Sequence, residues 1–231
     1  MIRVIGIDGD DTLWHNETVF SLTQERFRQL LSVHLPDTAR LDQRLHDRER
    51  ANLRLFGYGI KGFTLSMIET AIEVSEGRVS ATEIQALIDA GKAMLAHPVE
   101  LLDGVQATLE ILAAGYQLIL ITKGDLFDQE SKIARSGLAE LFWRIEILAE
   151  KDEASYRRIL DRHEVAPAEF LMVGNSPRSD IAPVTALGAA AVLVPYPLTW
   201  QHEQLEGGLG EYRVLESITE LPVLLQQMRS K

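Results

Sequence analysis

From residue 99 onward the sequence alternates between short apolar segments and helical segments, and this alternation limits the possible folds more than any other feature. Such alternation favours right-handed β-α-β units, which build a parallel sheet covered by helices. The apolar run from Ile2 to Ile7 has the same character and would add a strand. We therefore predict an α/β fold. The later strands are expected at 116–121, 145–148, 170–173, 190–194 and, weakly, 212–215, and the helices at 104–114, 126–136, 153–163, 181–187 and 217–229.

Residues 16–98 interrupt this alternation with helical periodicity and no strand pattern. Capping-box patterns at Ser21 and Ser80 would each open a helix. We predict an α/β core formed by 1–15 and 99–231, and an all-helical domain of four helices between these two segments. The four helices are expected near 22–34, 39–56, 62–76 and 81–96.

The composition excludes several classes of site and partner. The 231 residues include no cysteine, so disulfides, zinc-thiolate sites and thiol nucleophiles are not expected. The formal net charge of −11 argues against a nucleic-acid partner, because such binding depends on clustered Lys and Arg. The early charged residues and the lack of an apolar run of about 20 residues predict neither export nor membrane insertion. We therefore expect a cytoplasmic monomer or homodimer with a small-molecule ligand.

Polar residues follow the predicted strands at the places where ligands bind in such folds. In open parallel sheets the binding crevice lies outside the carboxyl ends of the strands. We therefore expect these polar side chains to gather at one edge of the sheet. They are Asp8, Asp10, Thr122, Lys123, Lys151 and the loop 174–180.

Four motifs in order make the chain resemble the haloacid dehalogenase superfamily of aspartate-nucleophile hydrolases. An acidic motif ends the first strand, a hydrophobic strand ends in Thr, a lysine precedes a helix, and an acidic loop follows a later strand. The helical insert lies where this superfamily places a cap. The resemblance covers the whole core and implies a Rossmann-like parallel-sheet core with a small four-helix cap domain. In this sequence the motifs are DGDDT (8–12), LILIT (118–122), Lys151 and VGNSPRSD (173–180).

The resemblance implies a role for each motif in phosphoryl transfer. Asp8 would be the nucleophile that forms an aspartyl-phosphate, and Asp10 would be the general acid and then the general base. Thr122 would hydrogen-bond a phosphoryl oxygen. Lys151 would neutralise the charge that spreads over the phosphoryl oxygens in the transition state.

The clustered acids also predict a magnesium ion. Carboxylates can lie close together if a hard cation lies among them, and oxygen ligands suit Mg²⁺. The ion would be held by the carboxylates of Asp8 and Asp180 and by the backbone carbonyl of Asp10, with Asn175 or water completing the shell. Asn175 stands where the superfamily usually has an acid, and a neutral ligand predicts weaker metal binding. Asp11 is expected to begin a helix or a turn.

The candidates for substrate binding lie in the core and in the helical insert. Lys123 and Asp125 closely follow the threonine of the second motif and could contact substrate or cap the next helix. The segment 55–63 breaks a helix with two glycines and lies beside or contains Arg54, Tyr58 and Lys61. A cap loop of this kind would exclude water and read the leaving group. Ordinary packing and solvation of these side chains are an equal alternative.

The leading functional prediction is a Mg²⁺-dependent phosphatase of a small phosphorylated metabolite. Asp10 favours phosphate chemistry over carbon–halogen cleavage, because an alkoxide needs a proton donor and a halide does not. A phosphomutase, which protects the same intermediate from water, is the alternative among enzymes. A regulatory phosphate-binding protein with weakened turnover is a further alternative, and Asn175 motivates it. Receiver domains of signalling proteins lack a helical insert after the first strand and fit less well.

Overall fold

The computed structural model describes residues 1–198 and 209–229, and the chain divides into two compact units. The α/β unit comprises Met1–Glu17, Val99–Lys123 and the chain from Gln129 onward. The helical unit comprises Thr18–Pro98 and Gly124–Asp128. The sequence assigns 124–128 to the core, whereas the structure groups these residues with the helical insert.

The α/β unit contains a six-stranded sheet in which neighbouring strands are parallel. In chain order the strands are β1 (Val4–Ile7), β2 (Gln117–Lys123), β3 (Arg144–Leu148), β4 (Phe170–Gly174), β5 (Ala190–Leu193) and β6 (Arg213–Val214). Their order in the sheet is β3-β2-β1-β4-β5-β6, so β1 lies in the interior between β2 and β4. This topology confirms the predicted α/β fold and brings residues that follow β1, β2 and β4 to one edge.

The helices follow the predicted segments closely. Among the described residues they are, in chain order, α1 (Glu17–Leu31), α2 (Thr38–Phe56), α3 (Ile60–Val74), α4 (Ala81–Ala96), α5 (Val105–Ala113), α6 (Leu126–Ser136), α7 (Glu153–Arg162), α8 (Ala182–Ala186) and α9 (Leu221–Arg229). The predicted last helix is a 3-10 turn, Ile218–Glu220, followed by α9. None of the helices in the described residues is long and apolar enough to cross a membrane.

The start of α1 differs from the prediction for a physical reason. The helix begins before Ser21, at Glu17, and the carboxylate of Asp11 accepts hydrogen bonds from the amides of Asn16 and Glu17 at 2.9 and 3.0 Å. A side chain that caps from five or six residues upstream leaves no local capping pattern, so the prediction at Ser21 was wrong. The expected role of Asp11 at a helix start is confirmed, and so is the capping box at Ser80.

Packing on the two faces of the sheet explains the apolar pattern of β1. Ile5 and Ile7 point into a core that includes side chains of α5 and α9. Val4 points to the opposite face, into a core with side chains of α7 and α8. Gly6 lies on that second face, where a Cβ would come within 2.6 Å of the Phe170 ring. Burial on both faces is what a central parallel strand requires.

The helical unit has an apolar core of its own. Each of its four long helices contributes buried side chains to one cluster, as the helical periodicity predicts. The cluster includes Phe27 and Leu31 of α1, Leu41 and Leu45 of α2, Met67 of α3 and Leu87 of α4.

Candidate active site

Three buried charged side chains, Asp8, Lys151 and Asp180, meet at the carboxyl edge of the sheet. The Lys151 ammonium hydrogen-bonds to the Asp8 carboxylate and lies 2.7 Å from Oδ1 of Asp180. The Asp8 amide donates to the Val173 carbonyl at 2.9 Å, which continues the pairing of β1 with β4 and fixes the backbone of Asp8. Two carboxylates from adjacent strand ends therefore share one cation.

The loop after β4 holds Asp180 in place. A π-helical turn spans Pro177–Ile181, and the Ser176 hydroxyl accepts the Ser179 amide at 2.9 Å. The Ser176 amide donates to Oδ2 of Asp180 at 3.0 Å. Gly174 is required beside it, since a Cβ there would lie 2.2 Å from Oδ2 of Asp180. The position of the Asp180 carboxylate therefore requires a glycine at position 174.

Burial and the charge of the ion-pair partner act in opposite directions on the pKa values of Asp8 and Lys151. Burial, opposed by Lys151 and reinforced by Asp180, raises the pKa of Asp8 to about 7. Burial alone would lower the pKa of Lys151, but Asp180 and Asp8 outweigh it and raise that pKa above its ordinary value. Lys151 is therefore a permanent cation at neutral pH, whereas Asp8 changes its protonation in that range.

Three side chains hold the carboxylate of Asp10. Trp14 Nε1 donates to Oδ1 at 2.7 Å, and Gln129 Nε2 donates to Oδ2 at 2.8 Å. The Lys132 ammonium contacts both oxygens, at 2.7 and 2.9 Å. Burial alone would raise the pKa of Asp10, but Lys132, assisted by Trp14 and Gln129, holds this pKa below its usual range. The free site therefore contains Asp10 as an oriented carboxylate.

Thr122 lies at the end of β2 and is linked to Asp10 through one side chain. The Thr122 hydroxyl donates to Oε1 of Gln129 at 3.2 Å, and the amide nitrogen of the same glutamine binds Asp10. Gln129 is buried. A single carboxamide thus connects the residues that follow β1 with the end of β2.

The oxygen atoms around Asp8 have the chemistry that Mg²⁺ needs. The Thr12 hydroxyl lies 3.4 Å from Oδ2 of Asp8 and 3.5 Å from Oδ1 of Asn175, so one hydroxyl contacts both oxygens. In the part of the chain that the structure describes, no group of three or more His, Cys, Asp or Glu side chains is placed to hold a metal. The side-chain oxygens at this edge of the sheet include the carboxylates of Asp8 and Asp180 and the Asn175 amide, and hard oxygens of this kind fit Mg²⁺.

Lys123, a predicted substrate-binding residue, lies beside the loop that carries Asp180. Its ammonium donates to the Ser179 hydroxyl at 2.9 Å and lies 3.5 Å from Oε1 of Glu150. Asp125 caps α6, which was one of the two predicted alternatives for this segment, and its carboxylate accepts the Asp128 amide at 3.1 Å. The structure therefore brings Lys123 to the same edge as Asp8, Thr122 and Lys151.

The other three predicted substrate-binding residues lie in the helical unit. Lys61 forms an ion pair with Asp125 at 2.8 Å, and its ammonium lies 5.4 Å from the centroid of the Phe127 ring. Tyr58 is partly buried and Arg54 is exposed. A contact between these residues and a substrate stays a prediction.

Three further residues that contact Asp10 were not predicted from the sequence: Trp14, Gln129 and Lys132. Gln129 and Lys132 are three positions apart on α6, so they lie on one face of the helix that follows β2. That spacing, close after a strand that ends at the predicted site, was a usable signal. Trp14 is buried in the α/β core, and no sequence pattern connects its indole N–H with Asp10.

Residues 2–188 match a protein-family model described as a haloacid dehalogenase-like hydrolase. A search of curated proteins found no match.

The fold is similar to several solved structures. A haloacid dehalogenase-like family hydrolase from Xanthomonas campestris is 41% identical, with a TM-score of 0.89, and the match covers 99% of this chain and 92% of that one. A 2-haloacid dehalogenase from Pseudomonas syringae is 22% identical, with a TM-score of 0.65 and coverage of 99% and 100%. A HAD-hydrolase from Bacillus subtilis bound to magnesium is 15% identical, with a TM-score of 0.70 and coverage of 97% and 98%. The last two similarities concern the fold alone.

Proposed function

The chain belongs to the haloacid dehalogenase-like hydrolase family, and from this premise we propose that it is a Mg²⁺-dependent phosphohydrolase of a small phosphomonoester. The observation that carries the proposal is the oriented carboxylate of Asp10, two residues after the buried Asp8. A phosphate ester expels an alkoxide, which needs a proton donor, whereas carbon–halogen cleavage expels a halide, which needs none. An acid with three hydrogen-bonding side chains around it fits the first reaction.

In the proposed reaction, the Asp8 carboxylate attacks phosphorus to form an aspartyl-phosphate, and water then hydrolyses it. Asp10 protonates the leaving oxygen in the first step and accepts a proton from the attacking water in the second. The first step requires a protonated Asp10. The negative charge of a bound phosphate favours this form, because it acts on the pKa of Asp10 in the direction opposite to Lys132. Lys151 neutralises charge on the phosphoryl oxygens, and the Thr122 hydroxyl turns its one proton from Gln129 to one of these oxygens.

Mg²⁺ is the proposed cofactor. The residues that would hold it are Asp8 and Asp180 through their carboxylates, Asn175 through its amide oxygen, and Asp10 through its backbone carbonyl. When bound, the ion polarises the phosphoryl oxygens and neutralises part of their charge. Because Asn175 is neutral, we expect weaker metal binding than at a site with an acid in this position.

The experiment that tests this function measures phosphate release from p-nitrophenyl phosphate and from a panel of phosphorylated metabolites, with Mg²⁺ and with a chelator. We expect release that requires Mg²⁺ and that exceeds the release by an Asp8→Asn variant. Parallel assays with 2-haloacids measure halide release. Halide release without phosphate release would replace the proposal by a dehalogenase function.

Two alternatives use the same site. A phosphomutase would convert a sugar phosphate into an isomer without net release of phosphate, which product analysis detects. A regulatory phosphate-binding protein is favoured by Asn175, since a weakened metal site lowers turnover while the cations Lys151 and Lys123 still attract phosphate. It would bind inorganic phosphate and show no turnover above the Asp8→Asn control.

We predict that the activity at low Mg²⁺ rises with pH through about 7, because burial raises the pKa of Asp8 to about 7 in the metal-free site and only the ionised carboxylate attacks. Below this value Asp8 is protonated and kcat/KM falls. Mg²⁺ favours the ionised form, so higher Mg²⁺ should move the acidic limb to lower pH. The measurement is kcat/KM against pH at two Mg²⁺ concentrations. An acidic limb that Mg²⁺ leaves in place would contradict the assignment of this limb to Asp8.

A further inference from the structure

We propose that Gln129 and Lys132 of α6 are positioning residues that hold the side chain of Asp10 in its productive orientation and link it to Thr122. This inference rests on the proposed phosphohydrolase function and deepens it. It concerns proton transfer to the leaving group, which depends on where the Asp10 carboxyl points rather than on its presence alone.

The contacts of Asp10 support a role in orientation. Gln129 binds Oδ2 and Lys132 binds both oxygens, so a rotation of the carboxylate would break hydrogen bonds on both sides. Trp14, packed in the core, fixes Oδ1 from a third direction. Lys132 is itself held by the Asn16 side-chain oxygen at 3.2 Å. Both partners on α6 are therefore fixed groups and not freely moving surface side chains.

Burial of Lys132 indicates that this arrangement has a function. The Lys132 side chain is 11% exposed and that of Asp10 is 22% exposed. Removing a lysine and a carboxylate from water has a desolvation cost, and apolar residues of similar size would often be at least as stable at such a position. A pair of this kind beside Asp8 is better explained by its effect on Asp10 than by stability.

Gln129 connects two residues of the site, Thr122 and Asp10. Its Oε1 accepts the Thr122 hydroxyl, and its Nε2 binds Asp10, so one rigid carboxamide sets the distance between the two. In the proposed reaction the Thr122 hydroxyl turns its one proton to the phosphoryl group, and Asp10 contacts the leaving oxygen. Gln129 therefore sets the separation of these two side chains in the free site, before substrate binds.

The test compares two substrates that differ in their need for a proton. Glycerol phosphate expels an alkoxide, whereas p-nitrophenyl phosphate expels a stabilised phenolate. We expect Lys132→Met to lower kcat for glycerol phosphate about 100-fold, with little change in KM, and to lower kcat for p-nitrophenyl phosphate less than about tenfold. A purely structural role would lower both by the same factor and would overturn the proposal.

Three further variants separate positioning from general damage. In an Asp10→Asn background, Lys132→Met should have almost no additional effect on kcat, because its target is already gone. Lys132→Arg keeps the charge and should recover part of the glycerol phosphate activity. Arg135→Met removes a charge from an exposed position of the same helix and should leave the ratio of the two substrates unchanged. Additive losses in the double variant would overturn the proposal.

A structural readout keeps the inference testable apart from the activity. If the wild-type protein releases no phosphate from any ester, the proposed function fails, and the crystal structure of Lys132→Met decides the inference. An Asp10 carboxylate turned away from Gln129 supports positioning, and an unchanged Asp10 overturns it. If Lys132→Met does not fold, Gln129→Met provides the same two-substrate and structural test without removing a charge.

Discussion

Replacing Asp8 by Asn is expected to abolish Mg²⁺-dependent phosphate release, with kcat lowered by about 10⁴-fold or more. The asparagine has the shape of the aspartate but lacks the carboxylate that would attack phosphorus in the proposed reaction. We expect the fold to survive, because Lys151 still pairs with Asp180 and one of two neighbouring acids has been removed. The measurements are kcat with p-nitrophenyl phosphate and the thermal unfolding midpoint.

Asp11→Asn is the matched control for this experiment. Asp11 is also buried, and its carboxylate accepts the amides of Asn16 and Glu17. Asparagine caps helices about as well as aspartate, so we expect an activity within about threefold of the wild type. Equal losses in the two variants would mean that the acidic loop has a structural role, and the assignment of Asp8 as nucleophile would fail.

The second large effect is expected from Lys151→Met, which should damage both activity and stability. In the proposed reaction Lys151 would neutralise charge in the transition state, so without this cation kcat should fall by about 10²–10³. The same change leaves Asp8 and Asp180 buried beside each other without their shared partner. Breaking a buried ion pair in this way typically costs about 3–5 kcal/mol of unfolding free energy. Urea unfolding and kcat measure the two effects.

A second substitution separates the two effects of Lys151. Adding Asp180→Asn to Lys151→Met removes one of the unpaired acids, so we expect part of the stability to return while the activity stays lost. Lys92→Met is the control. The Lys92 side chain is 66% exposed, so its replacement should leave the unfolding free energy and kcat almost unchanged. Wild-type stability and kcat in Lys151→Met would contradict the central position of this lysine in the site.

Local patterns in the sequence determined the fold and the four main residues of the candidate site. Helix α6 was predicted with its observed bounds, because a strand signal before it and a glycine after it limit it on both sides. Asp8, Thr122, Lys151 and Asp180 were predicted to meet because parallel strands end at a common edge, and the structure brings them there.

Tertiary structure decided which partners these residues have. Lys132 lies 122 positions from Asp10 along the chain, and Asp125 lies 64 positions from Lys61. Such contacts depend on how helices pack, and helical periodicity alone does not specify a partner. The same limit explains why the local pattern at Ser21 did not mark the start of α1, although Asp11 was expected to begin a helix or a turn. The sequence by itself therefore determined the strand ends and the acids that follow them, while only packing decided how α6 orients Asp10, because side-chain direction depends on neighbours far away in the chain.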